Sequence, residues 1–212
     1  MSNFCLLCGS DSIKSTPTKD QKTYYACHQC HLTFVDPIYR PAPAEEKSRY
    51  LKHDNKRADL GYVRFLEKAI LPSLQYLSPG QLILDYGCGP EPVLSQVLRD
   101  KYNLKADNYD PYFATSALKG SYHFIFSTET FEHFYNPAHE LEKINRLLAT
   151  KGYLCIMTQL LDSSIDFDEW WYRRDPTHVC FYKRQTLEYI CAHWGMRLAY
   201  SDHRSVAILQ KG

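Results

Sequence analysis

An α/β domain on a mostly parallel sheet, preceded by a small cysteine-bearing segment, is the fold class the chain predicts, and three observations carry it. Between Gln81 and Leu98 an apolar run, Leu82-Ile83-Leu84, ends in Asp85, passes through Gly87, Cys88, Gly89 and Pro90, and resumes with Val93, Leu94, Val97 and Leu98 on one helical face. That is strand, tight turn, helix, with a strand apolar enough to be buried on both sides. Downstream, strand-like and helix-like stretches alternate as a parallel sheet requires. Upstream, Cys5-x-x-Cys8 and Cys27-x-x-Cys30 flank 18 intervening residues, the spacing of a short segment that closes around a metal because its own core is too small.

Composition bounds the rest. The 212 residues suffice for one α/β domain plus a small appendage, and 44% of them are hydrophobic. A formal net charge of +1 provides no global field to attract nucleic acid or an anionic membrane. The start, MSNFCLLCGS, lacks a cationic lead and a long apolar core, and no later stretch reaches the apolar length that spans a bilayer. The expectation is a cytoplasmic protein without a membrane partner. Eight cysteines in such a compartment point to metal or free thiols, not disulfides.

Taken in order, residues 1–40 read as a zinc-ribbon-like segment. Each Cys-x-x-Cys sets two thiolates on one turn, so Cys5, Cys8, Cys27 and Cys30 are the expected ligands of a structural Zn2+. Lys22 to Ala26 and Leu32 to Val35 supply strand formers around them. His28 or His31 replacing one cysteine, or empty knuckles, are the alternatives; a redox role fits less well, because the motif is paired and follows no βαβ pattern. Asp36 to Glu46 carries three prolines and few core candidates, so residues 41–57 read as a stiff linker. Tyr50 to Asn55 shows no usable period.

Residues 58–212 form the expected main domain. Leu60, Val63, Leu66, Ile70, Leu74 and Leu77 mark an amphipathic helix interrupted near Pro72. At the turn after Asp85, glycines let backbone amides approach a small polar ligand beside the positive end of a helix. A dinucleotide turn would need a third glycine where Pro92 stands, and the Glu91 carboxylate would repel a pyrophosphate, whereas a positive or zwitterionic head suits the turn. Leu104 to Asp110 is the next strand. Asp110 lies 25 residues after Asp85, near the interval of about 20 at which such folds place a carboxylate on ribose hydroxyls; a plain turn aspartate before Pro111 is the competing reading. Pro111, Tyr112 and Phe113 offer a flat surface for a base.

Tyr122 to Thr128 is a third strand, and its end delivers Ser127, Thr128, Glu129, Glu132 and His133 to the sheet edge where ligands bind at a topological switch point. Pro137 opens a helix expected to run through Leu148 and to stop at Lys151-Gly152, before a strand over Tyr153 to Leu160. Leu161 to Asp175 has two tryptophans among acidic residues and reads either as a substrate loop or as a plug of the sheet edge. A helix from Gln185 to Trp194 and a hairpin of Met196 to Ser201 with Ser205 to Leu209 close the chain.

From about Leu60 onward the sequence resembles the class I S-adenosylmethionine-dependent methyltransferases, on LDYGCGP at Leu84–Pro90, YDP at Tyr109–Pro111, EHFYNP at Glu132–Pro137 and GYLCIMT at Gly152–Thr158. More narrowly, with WWYRRDPTHVCFY, it looks like a group of small methyltransferases that carry an N-terminal four-cysteine segment. The resemblance implies a Rossmann-like sheet with an antiparallel last strand and cofactor contacts at Asp85, Gly87, Gly89 and Asp110, joined in our reading by Tyr86, Cys88, Pro111, Tyr112, Thr128 and Glu129. It also implies a methyl acceptor, read as a small molecule. Two departures stand out: Glu91 replaces the usual glycine, and Pro111 to Ser121 scarcely leaves room for a third strand. His133 and His178 are the candidate bases, since an imidazole exchanges protons near neutral pH; Tyr182, Asp175 and the tryptophans are candidates to line the acceptor pocket. An RNA or ribosome methyltransferase using the zinc segment for recognition and a non-catalytic cofactor-binding protein are the competing functions; a nicotinamide oxidoreductase ranks below both.

Overall fold

The computed structural model describes residues 3–52, 56–116 and 118–212. Its centre is a six-stranded sheet of β4 (Ile83–Tyr86), β5 (Ala106–Tyr109), β6 (Tyr122–Thr128), β7 (Leu148–Met157), β9 (Met196–Ser201) and β10 (Val206–Lys211). The strand order is β5-β4-β6-β7-β10-β9. The first four strands run parallel, and β10 enters antiparallel to both β7 and β9. The expected mostly parallel sheet with an antiparallel last strand is therefore present. Strand β5 forms the sheet edge, and an isolated bridge from Asp110 to Ala114 follows it, consistent with the short Pro111–Ser121 interval.

Alternation along the buried strands divides the core. Ile83, Phe124, Phe126, Met157 and Ile208 pack with helices α2 (Leu60–Ser73) and α3 (Val93–Tyr102). Leu84, Ile125, Leu154, Ile156 and Leu209 pack on the opposite face with α4 (Pro137–Leu147) and α5 (Arg184–His193). Helix ends follow local chemistry: the Asp59 side chain accepts from the Gly61 and Tyr62 amides, Asn136 caps α4 ahead of Pro137, and Asn103 ends α3 at φ +54°. Pro72 lies in the last turn of α2, where the chain passes into a 3-10 turn over Leu74–Tyr76. Among the described residues no helix is long and apolar enough to cross a membrane.

Two expectations need correction. Lys151-Gly152 does not end a helix: α4 stops at Leu147, and β7 starts at Leu148. The register between β6 and β7 jumps between Tyr122 and Phe124, with Lys151 at φ +63°, so the pair marks an irregularity within the strand. A Cβ on Gly152 would stand 2.8 Å from the Ala149 carbonyl and 3.1 Å from those of Tyr122 and His123. The proline-rich stretch read as a linker carries helix α1 (Pro43–Tyr50). Residues 53–55 of that stretch lie outside the described residues.

The N-terminal strands β1 (Ile13–Pro17), β2 (Thr23–Cys27) and β3 (Thr33–Val35) form an antiparallel sheet that does not stand apart from the main domain. Its fourth strand is β8 (Cys180–Phe181), paired to β3 through Thr33 with Phe181 and Phe34 with Cys180.

Candidate active site

The carboxyl ends of β4, β5 and β6 open into a cavity of about 890 Å³, within the range of small-molecule sites. All ten expected cofactor residues line it: Asp85, Tyr86, Gly87, Cys88, Gly89, Asp110, Pro111, Tyr112, Thr128 and Glu129. His133 and His178 line it as well.

The turn after β4 is held by its neighbour strand. The Gly87 and Cys88 amides donate to the Tyr109 carbonyl at 2.7 and 3.2 Å. The Gly89 amide donates to Asp110 Oδ2 at 3.1 Å, while Asp110 Oδ1 accepts from the amides of Tyr112 (2.8 Å) and Phe113 (3.2 Å). Asp110 thus organises both turns that border the cavity, and a carboxylate with about four lone-pair sites keeps capacity for a hydroxyl donor. A Cβ at Gly87 would meet Thr130 at 2.4 Å, whereas Gly89 has nothing among the described residues within 4 Å of such an atom.

Two carboxyls here are buried without full satisfaction. Asp85 Oδ1 and Glu129 Oε1 have no hydrogen-bond partner among the described residues. Burial, then the nearby Asp110 charge, pushes the Asp85 carboxyl up to about 7. Burial, then Glu132, pushes Glu129 to about 9. Such sites are costly when empty and accept a cationic or donor-rich ligand readily.

The opposite wall carries a different set of groups. Glu132 follows β6 in a 3-10 turn, Phe131–His133, and is fully buried. Burial raises its carboxyl, opposed by His178. His133 Nδ1 lies 2.9 Å from the Thr177 carbonyl oxygen, and His178 Nδ1 lies 2.7 Å from that of Tyr172. Burial lowers the His178 pKa against the pull of Glu132. Burial would raise Asp175, but hydrogen bonds from Thr177 and Arg49 hold it well below the usual carboxylate range.

Of the acceptor-pocket candidates, Asp175 and Trp171 line the cavity, and Trp171 is 65% exposed. Trp170 and Tyr182 do not: both are core residues, Trp170 against Phe167, Tyr172 and Phe181, and Tyr182 with its hydroxyl donating to the Phe131 carbonyl at 3.1 Å. Sequence reasoning missed the roof. Glu46 of α1 accepts from the Tyr50 hydroxyl at 2.6 Å and the Tyr112 hydroxyl at 2.7 Å, and the Tyr50 ring stands edge-on to His133. Because hydrogen bonds rather than an apolar stripe hold this helix, it left no periodic signal; Glu46 is its one buried residue.

Away from the cavity, one sulfur from each of Cys5, Cys8, Cys27 and Cys30 lies within 4.8 Å of the others. The Cys5–Cys30 and Cys8–Cys27 sulfurs are 3.4 and 3.5 Å apart, far beyond a disulfide bond of about 2.05 Å. A tetrahedral zinc with Zn–S of about 2.3 Å sets sulfurs about 3.8 Å apart, so the donor set and its spacing fit the ion.

Comparison with known proteins agrees with this geometry. No curated protein sequence matches the chain. Among solved structures, an O-methyltransferase family protein from Burkholderia thailandensis superposes with a TM-score of 0.56 at 14% identity, over 79% of this chain and 63% of that one. CalO1, a methyltransferase in calicheamicin biosynthesis in its SAH-bound form, gives 0.54 at 15% over 80% and 59%. A chain in the complex of the Haloferax volcanii Trm112 methyltransferase activator with a putative methyltransferase gives 0.54 at 13% over 78% and 97%. The chain thus spans less than two thirds of the Burkholderia and CalO1 proteins. These likenesses show the shared fold, and a family profile described as a methyltransferase domain matches residues 50–200: the chain belongs to that methyltransferase family.

Proposed function

We propose that the protein transfers the methyl group of S-adenosylmethionine to a small polar acceptor. The observation that carries this reading is the convergence of Asp85, the Gly87–Gly89 turn, Asp110 and Glu129 on one cavity whose far wall holds His133 and His178. SAH in the CalO1 structure supports the choice of cofactor, and the net charge of +1 favours a small acceptor over nucleic acid. Asp110 would take ribose hydroxyls, Tyr112 and Pro111 the adenine, and Asp85 and Glu129 the cationic amino-acid end. When bound, the cofactor supplies an electrophilic methyl carbon on a sulfonium. The chain's share is placement and exclusion of water: α1 roofs the cavity, and an imidazole of His133 or His178 takes the acceptor proton as the acceptor attacks and the carbon–sulfur pair leaves with sulfur. Residues 1–40 would serve this domain as a zinc-bound structural segment rather than as a recognition arm.

Calorimetry tests the donor half. Asp110→Ala removes the acceptor of three backbone amides as well as the ribose contact, and charged hydrogen bonds of about 1.5–3 kcal/mol translate to an affinity loss of roughly 10- to 150-fold. Asp110→Asn, which keeps one acceptor oxygen, should lose less. Equal affinity across the three proteins would remove Asp110 from the site.

The raised carboxyls impose a pH dependence. A carboxyl whose folded pKa lies above its unfolded value binds more protons when folded, so its contribution to stability is present at low pH and is lost as pH rises through the folded pKa. For Asp85 that window runs from about 4 to about 7, and for Glu129 from about 4.5 to about 9. A cationic ligand stabilises both anions. The thermal shift produced by S-adenosylmethionine should therefore be larger at pH 8 than at pH 6, with protons released on binding. A shift that shrinks with pH would exclude these two carboxyls as the cation's partners.

A further inference from the structure

We propose that Glu132, His133 and His178 form a binding site for a divalent transition-metal ion at the acceptor end of the cavity. One donor atom from each lies within 4.8 Å of the other two, His133 Nε2 is 3.9 Å from Glu132 Oε1, and the imidazole centroids are 4.8 Å apart at 74°. An ion at about 2.0–2.2 Å from nitrogen and oxygen donors spaces its ligands by about 3–4 Å, so modest side-chain rotations close the set.

The protonation pattern is already that of ligands. A carbonyl oxygen only accepts, so the contacts of His133 Nδ1 to Thr177 and of His178 Nδ1 to Tyr172 place the ring proton on Nδ1 and the lone pair on Nε2. Fixing a metal-binding histidine through a backbone carbonyl in this way is the usual second-layer arrangement. The backbone ties the two halves together, since the Val179 amide donates to the Glu132 carbonyl at 2.7 Å.

Glu132 supplies the independent observation. It is 0% exposed, and neither carboxylate oxygen has a hydrogen-bond partner among the described residues. A buried carboxyl left this way is unfavourable as an anion unless a positive charge joins it. Tyr172 and Thr158 lie beside it and spend one of their two hydroxyl hydrogens on the 3.2 Å bond between them. An incoming dication would release any Glu132 proton to solvent and satisfy the anion.

Two imidazoles and one carboxylate select zinc, manganese, iron(II) or cobalt over calcium or magnesium, which prefer all-oxygen sets. Three protein ligands leave coordination positions open, and both histidines line the cavity, so the open positions would take an acceptor hydroxyl or enol oxygen. One imidazole lone pair holds a proton or a cation, not both. In the metal-loaded protein, then, the coordinated hydroxyl ionises to solvent, and the histidines act as bases only in the metal-free protein.

The test uses full-length protein with its four-cysteine site filled by zinc, titrated with Mn2+, a probe poorly suited to thiolates, and followed by electron paramagnetic resonance and calorimetry. One Mn2+ per chain is expected, with Glu132→Gln and His178→Ala each weakening it by at least about tenfold. Circular dichroism identifies folded variants, and if Glu132→Gln fails to fold, His178→Ala decides. Absence of a Mn2+ equivalent in the wild type, or undiminished uptake by folded His178→Ala, overturns the proposal. S-adenosylmethionine affinity measured on the same samples separates this outcome from failure of the methyl-donor reading, because loss of metal uptake with cofactor binding retained sinks only the metal site.

Discussion

If the four-cysteine site holds zinc as proposed, stripping it is expected to lower the melting temperature by on the order of 10–20 °C and to loosen His178, although none of the four cysteines touches the cavity. Structural zinc supplies about 10–16 kcal/mol of apparent folding free energy in small zinc domains, and a loss of even 5 kcal/mol moves Tm by about 10–20 °C in a chain of this size. The route to the site is short and runs through backbone hydrogen bonds. Strand β3 pairs with β8, the Val35 amide donates to the Val179 carbonyl at 3.0 Å, and the Val179 amide donates to the Glu132 carbonyl. His178 is the next residue. The ribbon also shares one core with β8 and α5, where Cys27, Cys30 and Leu32 join Phe181, Leu187 and Ile190. Cys27→Ser or chelation should therefore raise hydrogen exchange at residues 178–181 while leaving the Gly87 turn, on the far strands, protected. Zinc should restore both readouts. Unchanged exchange at 178–181 in metal-free protein would show that β8 holds His178 without the ribbon.

That coupling was invisible in the sequence for a physical reason. Cys180-Phe181 is a two-residue strand, too short for a period, and its partner residues Phe34 and Thr33 lie 146 and 148 positions earlier. Local patterns served where burial itself is local. Strands β6 and β9 sit where alternation and turn residues place them, and the thiol quartet assembles from spacing alone. Asp85 and Asp110 converge because parallel pairing of β4 and β5 aligns their carboxyl ends. The roof failed to announce itself because α1 buries a glutamate through tyrosine hydroxyls, which no hydrophobic pattern encodes. Lys151-Gly152 looked like a helix stop because the same residues that cap a helix also allow the chain to bulge against a neighbouring strand. Trp170 and Trp171 are adjacent letters with opposite fates, one packed under Phe181 and the other facing solvent at the cavity mouth; only tertiary packing separates them.

The two turn glycines should respond to alanine in different ways, and the contrast tests how the cavity is built. Gly87 sits at φ +85°, and an added Cβ would stand 2.4 Å from both Cγ2 and Oγ1 of Thr130. The left-handed conformation costs an alanine about 1–2 kcal/mol, and forcing a methyl into packed atoms costs about 1–3 kcal/mol more. Gly87→Ala should therefore lose roughly 2–5 kcal/mol of stability and also damage the site, since Thr130 donates to the Thr128 carbonyl at 3.0 Å and follows Glu129 directly. Gly89, at φ +67°, has open space where its Cβ would go and lines the cavity. Gly89→Ala should then cost only the backbone term, while its methyl enters the space a bound cofactor would fill. The expected pattern is a large Tm loss for Gly87→Ala, partly recovered by adding Thr130→Ala, against a small Tm loss with at least tenfold weaker S-adenosylmethionine binding for Gly89→Ala. If Gly89→Ala binds the cofactor as tightly as wild type, the cofactor does not approach this turn, and the cavity's other walls must hold it.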